Sequence, residues 1–130
     1  MSYILFLFTA DLEPDPIQNL KVDVDMNVPS VTLKWDPPPN VGTGTQSSWT
    51  DVSKYHIRFR PECGEHYNEI TVDGSTTSIV LRRESGIIPQ TISVFEVRAQ
   101  SGDSLGQWKK SSRYIGKHVI IVLYHELSNF

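Results

Sequence analysis

Reactive side chains are few in this sequence, and their spacing does not suit covalent chemistry. The single cysteine, Cys63, and the four histidines His56, His66, His118 and His125 show no ligand-like spacing, so no Zn site is expected. There is no Gly-x-Ser-x-Gly elbow, phosphate loop or His-Glu-x-x-His motif. Asp23, Asp25 and Asp51 read as solvated surface charges, with nothing around them that matches a calcium loop. No catalytic residue, cofactor or metal is expected, and an enzyme is the last class to consider.

The chemistry that remains is recognition. Trp108 follows a strand carrying Arg98, and a second strand carries Arg58 and Arg60. A cation–π contact between Trp108 and Arg98 would contribute ~0.5–1 kcal/mol; the alternative is a Trp108 that only covers a sheet edge. Trp49 lies in the longest loop, either as an exposed interface anchor or packed on Pro37 to Pro39. Ile92 and Val94 fall on the wet face of their strand, as a partner surface or under one of the chain's ends. Ser101-Gly102-Asp103 offers a carboxylate on a tight turn.

These residues need a scaffold, and the hydrophobic pattern supplies one. Val31, Leu33 and Trp35 alternate with Thr32, Lys34 and Asp36; Tyr55, Ile57 and Phe59 alternate with His56, Arg58 and Arg60; Phe95, Val97 and Ala99 alternate with Glu96, Arg98 and Gln100. A period of two means strands with one buried face and one wet face. Leu20, Val22, Ile70, Ile79 and Leu81 extend the buried set. Seven strands are expected, at about 17–25, 30–36, 53–61, 66–72, 76–82, 91–100 and 107–115. Pro37-Pro38-Pro39, Asp73-Gly74 and Gly102-Asp103 punctuate them. The fold class is all-β, an immunoglobulin-like sandwich.

The totals agree with one domain. The chain has 130 residues and a net charge of -3 without a long basic run, which argues against nucleic acid and anionic membrane surfaces. One cysteine excludes an internal disulfide. It fits a reducing compartment, or a secreted chain whose thiol stays unpaired or pairs with another chain.

The motif order resembles a fibronectin type III domain. The residues that carry it are Pro16-x-x-Asn19-Leu20-x-Val22, Val31-x-Leu33-x-Trp35-x-Pro37-Pro38, Tyr55-x-Ile57-x-Phe59-Arg60, Ile87-x-Pro89-x-Thr91 with Phe95-x-Val97-x-Ala99, and Gly106-x-Trp108 with Ser111-Ser112. The resemblance implies a seven-stranded sandwich with Trp35 in its core, used in tandem to space or bind proteins. Ser101-Gly102-Asp103 then falls where that family carries its adhesion tripeptide Arg-Gly-Asp. Ser101 lacks the permanent planar charge of arginine, so an ordinary turn is favoured. In cytokine-receptor relatives a tryptophan near Trp108 stacks with strand arginines; the double Trp-Ser repeat of those relatives is absent. Where the family pattern has a corner tyrosine, this chain has Ser93. A less stable module or local repacking is expected, and Ser93→Tyr is expected to raise the melting temperature.

The ends fall outside this pattern. Residues 1–13 and 117–130 are expected to lie outside a domain spanning 14–116. Ile4 to Phe8 is short for a signal-peptide core and has no preceding Lys or Arg, and Val119 to Tyr124 is far below the ~20 residues of a membrane span. Phe6-Leu7-Phe8 can be written as pyrimidines, Thr9-Ala10 as ACA-GCN and Gly116-Lys117 as GGT-AAG. The expectation is that both ends are translated intron around one exon.

The function expected is protein–protein interaction or spacing in a multidomain adhesion protein or receptor ectodomain, at the cell surface. Neighbouring modules and an unidentified protein are the partners. The alternatives are a cytokine-receptor-like ligand-binding module and an intracellular structural module.

Overall fold

The computed structural model describes residues 13–39 and 51–116. Within them the chain forms β1 (Gln18–Asp25), β2 (Ser30–Asp36), β3 (Lys54–Pro61), β4 (Asn68–Asp73), β5 (Ser78–Arg82), β6 (Ile92–Ser101), β7 (Ser104–Leu105) and β8 (Lys109–Tyr114). One 3-10 turn, Arg83–Ser85, joins β5 to β6. β1-β2-β5 make one sheet; β4-β3-β6 make the other, with β7 and β8 both paired to β6. Every pairing is antiparallel. The short β7 and β8 share one edge of β6: β8 is the expected last strand, and β7 is an extra two-residue piece in the segment expected to be a turn, separated from β8 by Gly106–Trp108.

The two inner faces close on one core. Val22, Val31, Leu33, Trp35, Tyr55, Ile57, Phe59, Leu81, Phe95 and Val97 are buried. Trp35 meets Tyr55 edge to face, with ring centroids 5.4 Å apart, an arrangement the ring quadrupoles favour. Burial pushes the Tyr55 phenol up, and the nearby Trp35 indole only partly offsets it. Neither the indole Nε1 nor the Tyr55 hydroxyl makes a full hydrogen bond.

Three residues expected in the core sit at its margin. Leu20, Ile70 and Ile79 are half-buried and pack against it. Each lies on a strand paired on one side only, β1, β4 or β5, where Val22 and Leu81 are nevertheless buried; Leu20 also follows an irregular register beside Asn19, whose φ is 53°. Their place in the interior is taken by Ile17, Ile87, Ala99 and Ile115. Ser93 is also buried, on the inner face of β6.

The strand directions define two poles. Pro14 lies at one of them, against Gly106 and the C-terminal end of β6: a Cβ on Gly106 would stand 2.9 Å from the Pro14 carbonyl oxygen. Only glycine permits so close a backbone approach. Ile115 lies at the other pole, where its N–H donates to Thr91 O at 2.9 Å and its carbonyl accepts from Gln90 N at 2.6 Å. The chain therefore comes in at one end of the sandwich and leaves at the opposite end.

Candidate functional site

β3 and β6 bring alternating charges together on the outer face of the larger sheet. Their register sets His56 beside Arg98, Arg58 beside Glu96 and Arg60 beside Val94. Directly opposed side chains on one face stand about 5 Å apart, close enough to interact.

Two aromatic rings slot between these cations. Tyr67 comes from the β3–β4 connection, one residue before the Asn68–Phe59 pair. Trp108 comes from the break between β7 and β8, where Gly106 N–H bonds Ala99 O and pairing resumes only at Lys109–Val97. Such an irregularity at a sheet edge re-aims a side chain. Here it sets Trp108 over the face opposite Arg98.

The result is a stack in the order Arg98, Trp108, Arg58, Tyr67, Arg60. The guanidinium carbons lie 4.3 Å (Arg98) and 4.1 Å (Arg58) from the Trp108 centroid, and 4.3 Å (Arg58) and 5.3 Å (Arg60) from that of Tyr67. All four are within the ~6 Å over which a cation is drawn to a ring face.

Glu96 anchors the centre of the stack. Arg58 donates to it through Nε at 3.0 Å and Nη2 at 3.3 Å. Burial alone would raise the Glu96 carboxyl; Arg58, the Tyr67 hydroxyl and Lys110 outweigh it and hold the carboxyl below its usual range. Arg60 Nη1 donates to the carbonyls of Pro61, Glu62 and Gly64, closing the β3–β4 turn, and the Tyr67 hydroxyl raises its pKa further. Arg98 Nε is buried without a hydrogen-bond partner, so the Trp108 face is the contact that offsets its desolvation. Past the stack, His56 shares a hydrogen bond with Gln100 and contacts Thr71 Oγ1.

The other candidate residues are dispersed. Ser101 pairs with Ser104 around Gly102-Asp103. Gly102 has φ 58°, the positive value that a two-residue hairpin of type II′ needs at its first position. The Gln100 amide donates to Gly102 O at 2.7 Å, and Asp103 is exposed at the tip. This turn is at the pole where the chain comes in. The long loop leaves and returns there too, but Trp49 lies outside the described residues.

Ile92 and Val94 are at the opposite pole and differ from each other. Ile92 is 42% exposed, whereas Val94 is 5% exposed. Val94 is therefore corrected as a surface residue: it sits between Arg60 and Ser112 on a face filled by long side chains. Tyr67 and Glu96 were not among the site residues expected from the sequence. Glu96 stood in the alternation opposite Arg58, which was the available signal; Tyr67 had none, because it precedes its strand.

Two packed antiparallel sheets around a Trp35 core place the molecule among the immunoglobulin-like sandwiches. The family model described as fibronectin type III domain matches residues 15–114, and the chain belongs to that family. The fold is similar to the fibronectin type III domain of human collagen XX, at 21% identity and TM-score 0.57, over 79% of this chain and 94% of that one. It is also similar to a two-domain fibronectin type III segment of chicken tenascin, at 20% identity and TM-score 0.63, over 79% of this chain and 50% of that segment. No curated protein sequence matches. Among the described residues no helix is long and apolar enough to cross a membrane.

Proposed function

We propose that this chain is a non-catalytic spacer and protein-interaction module of a multidomain adhesion protein or receptor ectodomain. The observation that supports it is the placing of Pro14 and Ile115 at opposite poles. A module with its ends at opposite poles joins head to tail and extends an array by its own length. The stack links β3 and β6 through Tyr67 and Trp108 from the adjoining loops. The test is insertion of the chain between two marker domains. Their separation is expected to grow by roughly 30 Å, the length of a ten-residue strand; unchanged separation would refute a spacing role.

A second reading has its own support. The alternation of Arg98, Trp108, Arg58, Tyr67 and Arg60 is similar to the arginine–tryptophan stacking of cytokine-receptor relatives, which favours ligand binding through the loops. Deletion of residues 40–50 with retained melting temperature but lost binding to a purified ligand would select this reading. The exposed thiol of Cys63 suits an intracellular module better, and the signal peptide and neighbours of the parent gene decide that point.

A further inference from the structure

At the pole where the chain leaves, the surface opens into a cleft of about 390 Å³ whose lining includes Pro61, Glu62, Cys63, Thr91, Ile92 and Tyr114. Its walls are mainly apolar. Ile92 is 42% exposed there, and the neighbouring Ile88 is 47% exposed. The last described residue reaches this cleft: Gly116 packs against the Tyr114 ring so closely that a Cβ would collide with it. Lys117 and His118 come next, and then Val119-Ile120-Ile121-Val122-Leu123-Tyr124, six apolar residues in a row.

We propose that this cleft is the docking site of the chain's own segment Val119 to Tyr124. Two features direct the segment there. Its two-residue link to Gly116 gives an effective concentration on the order of mM, so that weak docking suffices. Lys117 also carries the charge opposite to Glu62 on the cleft wall. Six consecutive apolar side chains left in water would forgo the burial that drives folding, and the cleft is an apolar surface that Tyr114, two residues before the last described one, helps to line.

Cys63 reads the occupancy directly, because it lines the cleft and is the one thiol in the sequence. Its alkylation by a bulky maleimide is measured in the full chain, in the chain ended at Gly116, and in full-length Ile121→Asp/Val122→Asp. The full chain is expected to react about five-fold slower or more than either variant, with all three melting at similar temperatures. Ile92→Asp in the full chain is expected to restore fast labelling from the cleft side. Equal rates in the full and shortened chains overturn the proposal. Protection that disappears on dilution also overturns it, since the occupant would then be a second copy.

Discussion

The guanidinium of Arg58 lies 4.1 Å from the centre of the Trp108 ring and is paired through its Nε with Glu96 at 3.0 Å. One cation thus serves a ring on each side and a carboxylate below. Arg58→Ala is expected to destabilise the protein by about 2–3 kcal/mol, from lost charged hydrogen bonds and two ring contacts. Chemical denaturation measures this, and Arg60→Ala should cost less, because Arg60 holds a turn at the end of the stack.

The Arg58–Trp108 contact has a separable energy. A double-mutant cycle with Arg58→Ala and Trp108→Leu is expected to show coupling of about 0.5–2 kcal/mol. Additive effects would mean that Trp108 only covers the edge of β6.

Acid should weaken the centre of the stack. The Glu96 carboxyl is held below its usual range when folded, so between the two pKa values the unfolded chain binds more protons. Its contribution is complete above the unfolded value, about 4.3, and is lost as pH falls through the folded one. Glu96→Gln is expected to lower stability at pH 7, and its gap to the parent is expected to narrow as pH falls below about 4.3. Melting curves at several pH values test this; a gap that stays constant as pH falls would assign the effect to packing.

Gly106 joins the incoming chain to the larger sheet. Gly106→Ala would place a Cβ 2.9 Å from Pro14 O and 3.3 Å from Ala99 O, both backbone atoms with little room to move. A loss of about 1–3 kcal/mol is expected, read as a lower melting temperature.

Strict alternation made the strands legible. Trp35, Tyr55 and Phe95 each sit in runs of period two, and their strands fall within one or two residues of the expected limits. Alternation says nothing about turns. Ile17, Ile87 and Ile115 are buried from outside or beside the strands, so their role depended on tertiary closure. The stack was half legible: Arg58, Arg60 and Arg98 share a face by parity alone. Trp108 reaches that face through a break in pairing that propensity does not encode, and Tyr67 through a loop. Ser93 marked a departure from the family pattern, but not that Ile87 and Ile115 would be buried at the same pole.

The most direct measurement of the central claim is the distance between the two ends of the sandwich. Spin labels at Glu13→Cys and Arg113→Cys, in a Cys63→Ser background, give it by dipolar spectroscopy. Opposite poles require about 20 Å or more, the span of β8 and the break before it. A separation below about 10 Å would put both ends at one pole and contradict the spacer module.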